Sequence, residues 1–165
     1  MGKVLRPKVA LVMVVALLGV SVGVGSAGGG EARRSHRNQF VNDLRASEEV
    51  PPTDDGRGVV KVKLRPETGE VCFSVAFHRS GTPNRGHIHI GDAGTNGGIA
   101  IPLFELAGMP ADARNDALER GFLSDCVTAD PTLVDTILND PTGYYVNLHN
   151  ARFPAGSMRC QLVDP

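Results

Sequence analysis

The chain has 165 residues, of which 41% are hydrophobic and 21% charged, with 17 Lys and Arg against 18 Asp and Glu. The length fits one ordinary domain. The nearly balanced charge argues against a nucleic-acid-binding protein, which normally carries a strongly basic surface. Tryptophan is absent, while glycine and proline number 20 and 11. This composition favours a turn-rich β protein over a helical bundle.

The first part of the chain has the layout of a secretory signal peptide. The basic residues Lys3, Arg6 and Lys8 precede an apolar run over 9–24, and small residues follow that run. The run is shorter than the roughly 20 residues that span a bilayer. We therefore predict a cleaved signal at 1–27, with an uncleaved anchor as the alternative.

The predicted exported chain begins with a polar linker at 28–38, followed by a single domain at 39–165. Loss of the signal removes three basic side chains and no acidic one, so the remaining chain is mildly acidic. We expect an extracellular protein that has no membrane attachment once the signal is cleaved.

Seven segments of the domain alternate apolar and polar residues or are continuously apolar, as β-strands are, and turn-forming residues separate them. In chain order these segments cover 40–46, 59–64, 71–77, 86–90, 99–104, 144–149 and 157–163.

Two stretches in the middle of the domain predict short helices, at 111–118 and 130–138. The second has the clearer signature, because Asp130 or Thr128 can cap it and Pro131 suits its first turn. Its apolar stripe consists of Leu133, Val134, Ile137 and Leu138. The predicted fold is therefore all-β: an antiparallel, Greek-key-like β-sandwich or flattened barrel of about seven strands with one or two short helices.

Three cysteines leave one unpaired thiol if the exported protein forms a disulfide. Alternation along strand 71–77 points Cys72 away from the core, whereas Cys160 shares the inward face of the last strand. Cys126 falls in a predicted loop segment. We therefore predict a Cys72–Cys126 disulfide and a buried free thiol at Cys160.

The histidines His87, His89 and His149 are the strongest candidates for a functional site. His87 and His89 share one face of a strand, while His149 and Asn147 point away from the core on another. Two histidines at i and i+2 on a strand can ligate one metal ion, and a third from a neighbouring strand would complete a site for copper or zinc.

A structural interpretation of the same residues remains open. The histidine pair could instead form a polar network with the carbonyl groups of the following glycine-rich loop, joined by Asn147 and Asp92, or it could be solvated. Motifs such as GxSxG and HExxH are absent from the sequence, and we predict no catalytic residue.

Motifs in this order resemble the chordin-type (CHRD) domain family over about residues 38–163. They are Gly86-His87-Ile88-His89-Ile90-Gly91, Asn139-Asp140-Pro141 with Tyr144-Tyr145-Val146-Asn147-Leu148-His149, and Phe153-Pro154-Ala155-Gly156 with Arg159, Gln161 and Leu162. The resemblance implies a secreted β-sandwich-like module, of a kind found in microbial proteins and in the animal extracellular antagonist chordin. Cys160 departs from the glycine that is usual in the family at that position.

The first strand of this pattern is also similar to the copper-binding strand of copper/zinc superoxide dismutase, itself a Greek-key β protein. That similarity covers His87 and His89, with His149 as an analogue of the late copper ligand; residues 92–148 contain no histidine for a zinc loop.

Two functions follow from these resemblances. The first is a non-enzymatic extracellular binding or structural module, whose partner is another extracellular protein, a matrix or a cell wall. The alternative is a copper- or zinc-binding protein of redox type.

Overall fold

The computed structural model describes residues 38–163. The predicted signal peptide (1–27) and nearly all of the predicted linker (28–38) lie outside the described residues. Within the described part of the chain, no helix has the length and apolar character needed to cross a membrane.

Eight strands and two α-helices make up the domain. The strands are β1 (Gln39–Arg45), β2 (Arg57–Arg65), β3 (Glu70–His78), β4 (Arg85–Ile90), β5 (Ile99–Glu105), β6 (Phe122–Thr128), β7 (Tyr144–His149) and β8 (Met158–Gln161). The helices are α1 (Ala111–Arg120) and α2 (Pro131–Asn139).

All eight strands belong to one antiparallel sheet in the order β5-β4-β7-β8-β1-β2-β3-β6. The sheet curls into a nearly closed barrel, so the end strands β5 and β6 approach each other. Neighbours distant in sequence, such as β4 with β7 and β1 with β8, give the Greek-key-like connectivity. The predicted all-β antiparallel class is confirmed, with one strand more than the seven predicted.

The core lies inside the curled sheet and follows the alternation of each strand. Val60, Val62 and Leu64 of β2 are buried, as are Val71 and Val75 of β3. Burial of such side chains is favourable by about 1.5–3 kcal/mol each, so register errors that turn them outward are strongly disfavoured.

Both predicted helices form, and α2 begins as its sequence indicates. The Asp130 side chain accepts a hydrogen bond from the Thr132 amide, which makes Asp130 the N-cap, and Pro131 occupies the first turn. Val134 and Ile137 are fully buried where α2 packs on the sheet. The apolar stripe therefore covers the core.

The eighth strand, β6, occupies a segment that the sequence predicted as loop. Its inward positions read Leu123, Asp125 and Val127, and the aspartate interrupts the apolar alternation that marks a strand. The edge position explains how this pattern is tolerated, because Asp125 is exposed there. Cys126 accordingly lies in a strand and not in a loop, which corrects the prediction.

The predicted disulfide joins β3 to β6. Cys72 and Cys126 are directly opposite residues of the two strands, and their sulfurs are bonded. Cys160 is the free cysteine; it is buried on the inward face of β8, where desolvation raises the pKa of its thiol. The disulfide therefore holds an edge strand to the sheet, while the third sulfur packs as a core side chain.

The disulfide is expected to contribute substantially to stability. It closes a loop with a sequence separation of 54 residues, for which the chain-entropy relation gives about 4 kcal/mol. Replacing both Cys72 and Cys126 by serine should lower the free energy of unfolding by about that amount, as measured by urea denaturation.

Thiol titration checks the pairing itself. Denatured, unreduced protein should contain one free thiol, and Cys160→Ala should contain none; three free thiols would contradict the pairing.

Candidate metal centre

Strands β4 and β7 bring three histidines together on one face of the sheet. Their antiparallel register sets His87 opposite Asn147 and His89 opposite Tyr145, with His149 two residues beyond Asn147 on the same face. On the opposite face, Ile88 of β4 and Val146 and Leu148 of β7 are buried in the core. The hydrophobic packing of the core thus fixes which face carries the imidazoles.

The pairing of β4 with the edge strand β5 is irregular beside both histidines. The register shifts between Gly86 and His87, and again between Ile88 and His89. Such bulges re-aim side chains. The unpaired extra residues, Ala100 and Leu103, lie on β5, whereas the pairing of β4 with β7 is regular.

The three imidazoles converge. His87 Nδ1 lies 3.1 Å from His149 Nε2, and the ring centroids of His87 and His89 are 5.5 Å apart. One candidate ligand nitrogen from each residue lies within 4.8 Å of the others. Tetrahedral ligands at metal–nitrogen distances of about 2.0–2.1 Å lie about 3.3 Å apart, so small side-chain rotations would complete a three-nitrogen set.

Backbone carbonyl groups orient two of the rings. His89 Nδ1 lies 3.0 Å from the Gly97 carbonyl oxygen, and His149 Nδ1 lies 3.2 Å from that of Pro154. A ring that donates from Nδ1 presents the lone pair of Nε2, which is the usual outer-sphere arrangement around metal-binding histidines. His89 Nε2 is buried and has no hydrogen-bond partner.

All three histidines are held in the neutral form. Burial lowers the pKa of His87 and of His149 to about 4, and neighbouring histidines and Arg85 add to the effect. Burial also lowers the pKa of His89, which Arg159 lowers further while the Gly97 carbonyl opposes the shift. Neutral imidazole is the form that binds metal. These histidines would therefore release no protons on binding a metal ion at neutral pH.

The glycine-rich loop between β4 and β5 packs over His89. The loop supplies the Gly97 carbonyl that contacts His89, and its Gly97 amide donates to the Tyr145 hydroxyl at 3.1 Å. The Tyr145 ring stacks on the imidazole of His89 with centroids 5.1 Å apart. The loop therefore contacts His89 and Tyr145 directly, beside the point where the three histidines converge.

Arg159 of β8 joins the glycine-rich loop to the segment between β1 and β2, which also covers this face of the sheet. Its Nε donates to the Glu48 carbonyl at 2.6 Å, and its Nη1 donates to the Thr95 carbonyl at 2.7 Å. Its guanidinium also lies over the Tyr145 ring, 4.5 Å from the centroid. Sequence reasoning did not place Arg159 or Tyr145 in the site, although strand parity alone puts both side chains on the outer face.

Glu49 is another buried polar residue that sequence reasoning did not place in the site. It is 5% exposed, and burial raises its pKa to about 7, a shift that Arg159 partly opposes. A Cβ at Gly156 would come within 2.6 Å of Glu49 Oε2 and 2.7 Å of Asn147 Nδ2. A side chain at position 156 would therefore displace the Glu49 carboxylate or the Asn147 amide.

The two residues predicted to join the polar network differ in outcome. Asn147 lies on the outer face between the strands, 2% exposed, and its Oδ1 has no partner among the described residues. Asp92 lies outside the cluster because it is exposed in the loop, where its backbone carbonyl accepts from Thr95. The structure therefore does not place the Asp92 carboxylate beside the histidines.

A second group of possible ligands consists of Glu70, Cys72 and Cys126. Both of its sulfurs are consumed by the disulfide, so the group offers no thiolate.

Comparison with known proteins identifies the family. The model of the CHRD domain matches residues 40–162, which is most of the chain. The chain belongs to the CHRD domain family. No curated protein and no solved structure matches the chain significantly. In this CHRD domain, the histidine motif forms β4 and the Tyr144–His149 motif forms β7, so the most specific motifs of the resemblance are the strands that carry the cluster.

The lowered pKa values predict how stability depends on pH in the metal-free protein. Between about pH 6.5 and pH 4, unfolded His87 and His149 take up protons that the folded state excludes, so stability falls as the pH falls. Glu49 opposes this trend, because its raised pKa makes the folded state bind the extra proton between about pH 4.5 and pH 7.

Urea unfolding at pH 7 and pH 5, with a chelator present, checks these signs. His149→Gln should lose less stability than the unsubstituted protein on acidification, and Glu49→Gln should lose more. An identical pH dependence in all three proteins would contradict the assignment.

Adjacent glycines of the loop provide a matched test of its fit. A Cβ at Gly97 would collide with the Ile90 carbonyl, whereas a Cβ at Gly98 would meet nothing within 4 Å. Gly97→Ala should therefore lower the free energy of unfolding by about 1–3 kcal/mol, and Gly98→Ala should leave it nearly unchanged. Equal effects in thermal or urea unfolding would show that the close loop contact is unimportant.

Proposed function

We propose that this CHRD domain is an exported metal-binding domain that holds one copper or zinc ion through His87, His89 and His149. The observation that carries the proposal is the convergence of three neutral imidazoles from two strands, with nitrogens within 4.8 Å. The buried and unpartnered Nε2 of His89 supports it further, because an unpaired buried polar atom costs about 1–3 kcal/mol.

The donor set favours copper or zinc over harder cations. Imidazole nitrogen suits zinc and copper, whereas calcium and magnesium take oxygen ligands. The cluster contains neither carboxylate nor thiolate. Three protein ligands would leave one coordination position for a water molecule or an external ligand, as in metal sites that react with a substrate.

Export of the domain is supported by two independent features. The N-terminal sequence has the charge and apolar pattern of a signal peptide, and the Cys72–Cys126 disulfide is typical of proteins in oxidising compartments. The extracellular character of the CHRD family agrees with both.

A non-enzymatic role in binding an extracellular protein, matrix or cell wall is the second candidate. It is favoured by Val41 and Val59, which are 48% and 43% exposed on the outer face of β1 and β2. Asp43 and Lys61, opposite these valines in the register, frame them with charges of both signs, as at protein interfaces with polar rims. This surface is on different strands from the histidines, so the two functions are compatible.

Metal analysis tests the first candidate directly. Protein purified without chelator, or titrated with copper(II) or zinc(II) after chelation, should bind one ion per chain. His89→Ala should weaken binding at least tenfold because it removes one of three ligands. His78→Ala is the matched control, since His78 is exposed at the end of β3 and should leave binding unchanged.

Competition with a chromophoric chelator gives the affinities. Absence of bound metal, or equal affinities in His89→Ala and His78→Ala, would overturn the metal proposal and leave the binding module as the function to pursue.

A further inference from the structure

The surroundings of the histidine cluster contain several buried polar atoms without partners. Among residues 38–163 there are seven such side-chain atoms, and five belong to the outer face of β4, β7 and β8 or to the segment that covers it. These five are Glu49 Oε1, Arg85 Nε, His89 Nε2, Asn147 Oδ1 and Arg159 Nη2. A bound metal ion would provide a partner for His89 Nε2. It would not provide an acceptor for the N–H groups of Arg85 and Arg159.

Arg85 adjoins the cluster in the sheet. It lies two residues before His87 on the same face of β4 and directly opposite His149 on β7. Its Nη2 donates to the Pro154 carbonyl at 2.9 Å, the same carbonyl that contacts His149 Nδ1. One backbone oxygen therefore fixes both the guanidinium and the ring, and Nε–H of Arg85 is left without an acceptor.

The cluster lacks negative charge to balance a divalent ion. The charged neighbours that act on His87, His89 and His149 are Arg85 and Arg159, and both lower the histidine pKa values. Neither arginine forms a salt bridge with a described residue. A divalent ion held by three neutral imidazoles beside a guanidinium would leave strong positive charge in a partly buried site.

We propose that a small monovalent anion occupies the open coordination position of the metal and accepts a hydrogen bond from Arg85 Nε–H. This proposal rests on the proposed metal-binding function. Hydroxide, chloride, carboxylate and bicarbonate share the required chemistry: a single negative charge, a lone pair for the metal and an acceptor for the guanidinium. Arg85 is then a positioning residue that selects anions over neutral ligands at the metal.

Azide is a suitable probe, because its binding to copper(II) produces a charge-transfer absorption band. Copper-loaded protein titrated with azide should develop this band and saturate. Arg85→Gln should weaken azide binding about tenfold or more, since a hydrogen bond to a charged group is lost. Arg152→Gln is the matched control: it removes the same charge from an exposed arginine paired with Asp54 and should leave azide affinity unchanged.

The copper(II) electron paramagnetic resonance spectrum without azide checks that each variant keeps its three nitrogen ligands. Arg85→Lys, which retains the charge, should recover part of the affinity lost in Arg85→Gln. Equal azide affinity in Arg85→Gln and Arg152→Gln, with intact copper spectra, overturns the role of Arg85 while the metal-binding function stands. Failure of copper to bind overturns the anion proposal, and failure of both copper and zinc to bind overturns the metal-binding function as well.

Discussion

The antiparallel pairing of β4 with β7 is the constraint on which the rest of the structure depends. It joins residues 62 positions apart in the chain, as in the contact between His87 and His149. On its inner face the same pairing sets Ile88 beside Val146 in the core. A slip of one residue would turn the histidines inward and the apolar residues outward, so the energy of core burial also fixes the geometry of the cluster.

Two chain segments cover the polar outer face, and Arg159 holds them together. Its hydrogen bonds to the Glu48 and Thr95 carbonyls fasten the segment before β2 and the glycine-rich loop to β8. The Asn96 side chain adds a bond of 2.7 Å to the Val50 carbonyl, which joins the two segments directly. These contacts exclude water from His89, and the resulting desolvation is the first cause of its lowered pKa. These two segments therefore help to keep His89 neutral, although neither supplies a histidine of the cluster.

Period-two alternation was enough to predict most of the fold and the face that carries each histidine, because core burial enforces that alternation. The predicted disulfide followed from the same parity at Cys72. The strand β6 escaped prediction because its edge position tolerates Asp125 on the inward face. The adjacency of β4 and β7, and the burial of Glu49, depend on long-range pairing and loop packing, which leave no local pattern in the sequence.

The unpaired polar atoms around the cluster favour a ligand-bound state of the domain over the empty one. Each costs about 1–3 kcal/mol when left without a partner, and Arg85, His89 and Asn147 contribute one apiece on adjacent strands. A metal ion would pair with His89 Nε2 but would increase the positive charge near Arg85. An anion on the metal would provide the acceptor that Arg85 lacks and reduce that charge. The proposed cation and anion would thus correct different deficits of the same surface, and each would make the binding of the other more favourable.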